Sequence, residues 1–236
     1  MRENCIHVTF VVDESGSMYP SVNDVTGGFN RVIEEQKAVE DGTCLVSYFK
    51  FADEVTEVYK MKDVKEVEPL TTKNYSPGGC TAMNDGIGTA IDKVGKWLSD
   101  MDESERPEKN VVVIITDGEE NASKEYSFDS VKEKIKHQEE KYSWSFIYLG
   151  TDISDANYAN SLGINLRAAN TRGDMGDTYA YVSSLNTAYR KTSGTASDKF
   201  MAFAKTASEG IKDLNLEYEI KTGIKINEDD DTTVTA

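Results

Sequence analysis

Three apolar runs constrain the fold of this chain more than any other feature of its sequence. They cover residues 6–12, 111–116 and 144–149, and each is followed at once by aspartate or glycine. A strand that is apolar along its whole length must be buried on both faces, as strands are in parallel sheets covered by helices on both sides. The runs therefore predict a central, mainly parallel β-sheet.

Further strands and a set of helices follow from the remaining periodicity. Two segments alternate well enough to be strands and predict an antiparallel hairpin at one edge of the sheet. Other segments repeat their apolar residues at helical spacing. The order of these segments predicts an α/β fold, a doubly wound Rossmann-like sheet with one antiparallel edge strand. The two strands are 43–51 and 55–61, and the helical segments are 25–36, 83–97, 127–141, 155–162 and 177–191.

The chain beyond residue 192 has a different pattern. We expect one domain over 1–192, a C-terminal helix and β-strand extension over 193–226, and an acidic flexible tail over 227–236. The strand of the extension is a stripe of alternating apolar residues over 214–226, and such a stripe has to be covered. It could add to an edge of the chain's own sheet or form a hairpin with itself. It could also pair in trans, with another protein or with a second copy in a homo-oligomer.

The charge balance excludes several classes of partner. The chain has 26 basic and 42 acidic side chains, and its formal net charge is −16. Nucleic acids and anionic membrane surfaces attract clustered Lys and Arg, so we expect neither as a partner. No stretch reaches the ~20 apolar residues of a transmembrane helix, and the N-terminal residues lack the apolar core of a secretory signal. We therefore expect a soluble protein that is cytoplasmic or phage-associated and is not secreted.

The cysteines agree with a reducing compartment. Cys5, Cys44 and Cys80 are odd in number and far apart in the sequence, whereas a disulfide framework needs pairs. Without a CxxC pair, and with His7 and His137 isolated, they do not predict a zinc site. We expect ordinary buried packing for all three thiols.

Polar loops follow the two central apolar strands, and a third polar loop opens the helical segment at 83–97. Because ligands of an open parallel sheet lie at the carboxyl ends of its strands, we expect the side chains of these loops to meet. Together they offer two carboxylates and three hydroxyls, an all-oxygen site that suits Mg²⁺ better than Ca²⁺. The candidate metal ligands are Asp13, Ser15, Ser17, Thr81 and Asp117.

The spacing of these residues resembles the signature of the von Willebrand factor A (vWA) family. That signature has Asp-x-Ser-x-Ser after the first strand, a Thr in a later Gly-rich loop and an Asp after the fourth strand, and it forms a metal-ion-dependent adhesion site (MIDAS). Residues 13–17, Thr81 and Asp117 match all three parts. The sequences DESGSM, GGCTAMNDGI and ITDGEENAS are similar to those of intracellular bacterial and phage members. The resemblance covers about residues 5–191.

The resemblance implies roles for the matching residues. Ser15, Ser17 and often Thr81 would contact the metal directly, whereas Asp13 and Asp117 would act directly or through water. The cation would be Mg²⁺, with Mn²⁺ or Ca²⁺ as alternatives, and one coordination position would stay open for an acidic side chain of a protein partner. The resemblance thus implies a metal-dependent protein-binding module rather than an enzyme.

Four further acidic residues are close in sequence to the candidate ligands. We interpret them chiefly as a solvated acidic loop face. Their charge would favour the cation and disfavour an acidic partner unless that partner also brings bases. The four are Glu14, Asp85, Glu119 and Glu120.

Two other interpretations of function remain open. The chain could be a structural or assembly component whose C-terminal strand makes the contacts. Alternatively, a haloacid-dehalogenase-like phosphatase would use Asp13 as its nucleophile and Thr116 as the threonine of its second motif. That family needs another Asp two residues further on as its acid and base, and here Ser15 stands in that place. Since a hydroxyl is a poor general acid near neutral pH, we predict no hydrolase activity.

Overall fold

Seven strands form one sheet in the computed structural model, which describes residues 1–150, 153–164, 166–170, 182, 186 and 214–218. Their spatial order is β3-β2-β1-β4-β5-β6-β7. Numbered along the chain, the strands are β1 (Arg2–Asp13), β2 (Thr43–Phe51), β3 (Val55–Asp63), β4 (Pro107–Ile115), β5 (Ser145–Gly150), β6 (Leu166–Asn170) and β7 (Leu214–Tyr218).

The five inner strands, β2, β1, β4, β5 and β6, are parallel, and β3 and β7 add antiparallel at the two edges. This arrangement confirms the predicted mainly parallel sheet and the hairpin of β2 and β3. The first strand starts earlier than its apolar run, because the Arg2 N–H donates to the carbonyl of Arg106 and Arg2 pairs with Pro107. Those first residues are exposed, which is why the hydrophobic pattern did not include them.

Helices cover both faces of the sheet, as the apolar runs require. One face carries α1, whose Phe29 packs edge-on against Phe10 of β1 with ring centroids 5.1 Å apart. The other face carries the helices Met83–Asp100, Phe128–Tyr142 and Ile153–Leu162. None of the helices in the part of the chain described here is both long and apolar enough to cross a membrane. The helices are α1 (Val22–Lys37), α2 (Met83–Asp100), α3 (Phe128–Tyr142) and α4 (Ile153–Leu162).

The C-terminal extension is described in part. Residues 214–218 form β7, which pairs antiparallel with β6 from Leu166↔Tyr218 to Asn170↔Leu214. Of the three arrangements expected for the stripe, these five residues adopt the first, addition to an edge of the chain's own sheet. The rest of the stripe, the helix expected over 197–211 and the acidic tail lie outside the described residues. So does the helix expected over 177–191, apart from the buried residues Val182 and Asn186.

The order of the strands creates a switch point between β1 and β4. The chain leaves β1 toward β2 on one side, whereas the strands after β4 build outward on the other side. The two strands pair in parallel up to Val12↔Ile115. The residues that follow, Asp13 and Thr116, therefore emerge side by side at the carboxyl edge, where open α/β sheets bind their ligands.

A chain of polar groups crosses the interior of the sheet at His7. The side chain of His7 is fully buried, with Nε2 2.8 Å from Ser47 Oγ and Nδ1 3.4 Å from Asn110 Oδ1. Ser47 Oγ also accepts the Met61 N–H at 2.9 Å. These partners suit a neutral imidazole that donates from Nδ1 and accepts at Nε2. Burial lowers the pKa of His7 to about 4, and the hydrogen bond with Asn110 opposes this only in part.

This buried histidine predicts a loss of stability in mild acid. The unfolded chain takes up a proton on His7 near pH 6.5, whereas the folded chain resists it until about pH 4. The stabilisation is therefore complete above pH 6.5 and is lost as the pH falls toward 4. Between pH 7 and pH 5 we expect the free energy of unfolding to drop by about 2 kcal/mol through this group. Urea unfolding at both pH values measures the drop, and a His7→Gln variant with the same drop would contradict its assignment.

Candidate metal site

Asp13 anchors the first loop of the site. Its carboxylate is buried, with Oδ1 accepting the Ser15 N–H at 2.7 Å and Oδ2 accepting the Thr116 hydroxyl at 2.6 Å. The Thr116 hydroxyl oxygen in turn accepts the Gly118 N–H at 3.1 Å. Asp13 therefore holds its own loop and the loop after β4 in one arrangement.

The two serines of the first loop point to the same place. Ser15 Oγ and Ser17 Oγ are 3.0 Å apart, and Ser15 is buried whereas Ser17 is exposed. The Gly16 N–H between them donates to the carbonyl of Gly79 at 3.1 Å, which joins this loop to the Gly-rich loop. The two hydroxyls thus lie at the surface end of a fixed turn.

Gly118 shows that the three loops converge. A Cβ atom built on this glycine would lie 3.1 Å from Ser17 Oγ, 3.3 Å from Thr81 Oγ1 and 3.6 Å from Asp13 Oδ2. Side-chain oxygens from two of the loops therefore surround one small volume beside the backbone of Gly118, which belongs to the third loop. A side chain at this position would fill that volume, and glycine leaves it free.

Asp117 completes the group of predicted ligands. Its carboxylate is half-buried and accepts a hydrogen bond from the Ser17 hydroxyl. Its Oδ1 atom is buried and has no hydrogen-bond partner among the described residues. A buried carboxylate oxygen without a partner is costly, and a bound cation would satisfy it. The structure thus brings together all five residues that the sequence singled out.

The electrostatics of the two carboxylates suit a cation. Burial raises the pKa of Asp13, hydrogen bonds from Thr116 and Ser15 oppose the rise, and the charge of Asp117 adds to it. Burial also raises the pKa of Asp117, against the hydrogen bond from Ser17. Two buried negative charges held close together cost free energy that a positive ion would recover. The residues present therefore fit a hard divalent cation in their oxygen donors, their charge and their unpaired Oδ1 atom.

The expected solvated acidic face is wrong for three of its four members. Glu14 pairs with Lys50 at 2.8 Å and accepts the Ser76 N–H at 2.7 Å. Asp85 is buried and Glu120 is half-buried, and both accept several backbone N–H groups. Of the four residues, only Glu119 is exposed. The carboxylates of the other three residues hold loops together through an ion pair and hydrogen bonds. Closeness in the sequence alone could not show these contacts.

Cys80 also differs from expectation. Cys5 and Cys44 are buried as expected, whereas Cys80 is exposed. The turn before it holds Gly79 at φ +78°, and a Cβ there would collide with the Asp53 carboxylate. That carboxylate accepts the Cys80 N–H at 3.2 Å, and its hydrogen bond with the thiol and its charge raise the pKa of Cys80. The thiol thus faces Asp53, whereas the hydroxyl of the next residue, Thr81, faces the site.

Two supporting residues were missed by sequence analysis. Thr116 was considered only as part of a phosphatase motif, yet it donates to Asp13. Its place directly after β4, one position beyond the last residue paired with β1, could have indicated this contact. Tyr75 donates its hydroxyl to the Asp13 carbonyl at 2.7 Å from a segment 62 residues away, and no local pattern marks it.

Solved structures with the same fold come from unrelated organisms. A von Willebrand factor type A protein from Catenulispora acidiphila aligns with a TM-score of 0.52 at 12% identity, over 79% of this chain and 43% of that one. The D319A mutant of the PilB minor pilin from Streptococcus sanguinis aligns with a TM-score of 0.52 at 11% identity, over 79% and 62%. The manganese-loaded TRAP protein of Plasmodium vivax gives a TM-score of 0.47 at 22% identity, over 69% and 63%.

The two likenesses with a TM-score of 0.52 establish the fold. This chain spans less than two thirds of each of the three proteins. Comparison with curated protein sequences gave no significant match. The family model of the von Willebrand factor type A domain matches residues 7–172, which run from the middle of β1 to the end of β6 and include every predicted ligand. The chain therefore belongs to the von Willebrand factor type A domain family.

Proposed function

We propose that this domain is a metal-dependent protein-binding module that uses its MIDAS residues to hold Mg²⁺. The observation that carries the proposal is the convergence of side-chain oxygens from two loops on Gly118 of a third loop, whose neighbouring residue Asp117 has an unpaired Oδ1. Mn²⁺ and Ca²⁺ are the alternative cations, since they also take oxygen ligands. Membership of the vWA family supports the same function.

The residues of the site would divide the work of holding the cation. The hydroxyls of Ser15, Ser17 and Thr81 would contact it directly, and the carboxylates of Asp13 and Asp117 would do so directly or through water. When bound, the cation supplies a positive centre whose open position a carboxylate of a partner protein can occupy. The ion pair and hydrogen bonds of the nearby acidic side chains compensate part of their negative charge. This charge should therefore repel an acidic partner less than the sequence indicated.

Partner capture tests this function. We expect proteins retained by the immobilised wild-type chain in Mg²⁺ to be released by EDTA and to be absent with Asp13→Ala. Asp63→Ala is the matched control, because Asp63 is a half-buried carboxylate at the end of β3 that accepts the Lys65 N–H at 2.9 Å, at the edge of the sheet opposite the candidate site. Partners that stay bound in EDTA and also bind to Asp13→Ala would contradict the proposal and would favour an assembly component.

We further propose that the domain is not an enzyme. Ser15, in the place of a phosphatase acid, is buried with its Oγ bonded to Ser17. His7 lies inside the sheet, and His137 packs against Tyr142 at the far end of α3, so neither offers a base to the site. Cys5, Cys44 and Cys80 form no disulfide among the described residues, which fits a reducing compartment, and we propose a cytoplasmic or phage-associated location.

The absence of hydrolysis is directly measurable. With an aryl phosphate in millimolar Mg²⁺, we expect the wild-type chain to release phosphate no faster than Asp13→Asn, because Ser15 stands where the phosphatase family has the carboxyl group that protonates the leaving oxygen. A rate well above background that disappears in Asp13→Asn would overturn the binding-module assignment.

A further inference from the structure

The segment that follows Asp117 makes a two-point contact with the predicted ligand Thr81. The Thr81 N–H donates to Asn121 Oδ1 at 2.9 Å, and the Asn121 N–H donates to the Thr81 carbonyl at 3.0 Å. Thr81 is buried, whereas Asn121 is exposed. The side chain of Asn121 thus supplies the acceptor for a peptide group that has little access to water.

The same segment caps the start of α2. Ala82, at the N-cap, has no side chain that can accept a hydrogen bond from the first turn. The acceptors come from elsewhere: Glu120 Oε2 takes the Asn84 N–H at 2.8 Å, and Ser123 Oγ takes the Asp85 N–H at 3.0 Å. The N-terminus of α2 is therefore capped by the loop that carries Asp117, whereas a helix is normally capped by the side chain of its own N-cap residue.

Asp85 closes this arrangement from the helix side. Its carboxylate accepts the N–H groups of Lys124, Glu125 and Tyr126 at 2.8–2.9 Å. Within the segment, Glu120 Oε1 also accepts the Ala122 and Ser123 N–H groups. The segment is therefore internally fixed and attached to α2 at several points, which makes it a rigid support for the adjoining Thr81.

We infer that Asn121 is a positioning residue of the metal site, which acts by holding the Thr81 peptide so that the Thr81 hydroxyl faces the other oxygens. This inference rests on the proposed function. Other hydrogen bonds hold the Gly-rich turn before Thr81, from the Gly78 N–H to the Glu14 carbonyl and from the Cys80 N–H to Asp53 Oδ1, but the Thr81 N–H itself donates to Asn121. Without the Asn121 acceptor, the buried Thr81 N–H would seek another partner and the hydroxyl would move with it.

Titration with Mn²⁺ tests the inference. We expect Asn121→Ala to bind Mn²⁺ about 10–100-fold more weakly than the wild type, the usual effect of losing a supporting partner of a metal ligand. Water-proton relaxation should show one more water on the bound Mn²⁺, because the Thr81 hydroxyl leaves. Asn121→Asp keeps the acceptor and should restore the wild-type hydration. Asn30→Ala is the control. Asn30 lies on α1, and its Oδ1 accepts the N–H of Leu70, a residue of a different loop, at 2.7 Å.

A double-mutant cycle identifies the route of the effect. If Asn121 acts through Thr81, Asn121→Ala should change Mn²⁺ affinity less than twofold in a Thr81→Ala background. Equal weakening in both backgrounds, or wild-type affinity and hydration in Asn121→Ala, would overturn the inference while leaving the proposed function intact. A wild-type chain that binds no Mn²⁺ would overturn both.

Discussion

Mg²⁺ is expected to raise the melting temperature of the wild-type domain, and Asp13→Asn is expected to remove that rise. A ligand that binds only the native state stabilises it by about 2.7 kcal/mol at a hundredfold excess over Kd. For a chain of this size that corresponds to about 5–11 °C. The amide at residue 13 can still accept the Ser15 N–H, and the Thr116 hydroxyl can turn to accept from the amide, so the fold should persist without the charge.

Differential scanning calorimetry with and without Mg²⁺ measures this effect. Asp63 is the last residue of β3, at the end of the sheet away from the candidate site. Asp63→Asn should therefore keep the full Mg²⁺-dependent rise in melting temperature. A rise of equal size in Asp13→Asn would show that the cation binds elsewhere. No rise in the wild type at millimolar Mg²⁺ would count against a metal site in the free domain.

Deletion of residues 194–236 is expected to lower the melting temperature by several degrees or to make the protein insoluble. The deletion removes β7 and leaves the outer edge of β6 without its antiparallel partner. An uncovered parallel strand presents free N–H and C=O groups to solvent and to other chains, which favours aggregation. The predicted metal ligands, all within residues 13–117, remain in the shortened chain.

Two further variants separate β7 from the rest of the extension. A chain that ends after Tyr218 keeps the strand and should melt close to the full-length protein. Leu216→Pro places proline in the middle of β7, where it restricts the backbone and removes an N–H, and it should shift melting in the same direction as the deletion. Unchanged melting and solubility in both the deletion and the proline variant would contradict a structural role for the strand.

The sequence predicts the sheet and the site well where a local pattern carries the information. The apolar runs determine β1, β4 and β5, because strands buried on both faces have no polar alternation. Asp13 and Asp117 are predictable as neighbours since each follows one of two central strands, and parallel strands end at the same edge. The periodicity of residues 83–97 similarly locates α2 and, just before it, Thr81.

The contacts that escape prediction depend on which loops meet. Asp85 and Glu120 appear in the sequence as surface acids, yet their partners are backbone N–H groups about 40 and 36 residues away. Tyr75 reaches the Asp13 carbonyl from a segment without regular structure. No periodicity encodes such pairings, because they follow from loop geometry after the sheet has assembled. The exposed position of Cys80 was missed for the same reason.

The pairing of β1 with β4 has a consequence for the order of synthesis, folding and cation binding. The predicted ligands Asp13 and Asp117 are about a hundred positions apart in the chain, and the Asp13–Thr116 contact exists only when these two strands lie side by side. A nascent chain therefore cannot offer the complete set of ligands before residue 117 has emerged from the ribosome. A cation that needs the full set would select molecules whose central sheet is finished, and its capture would mark the end of folding rather than assist its early steps.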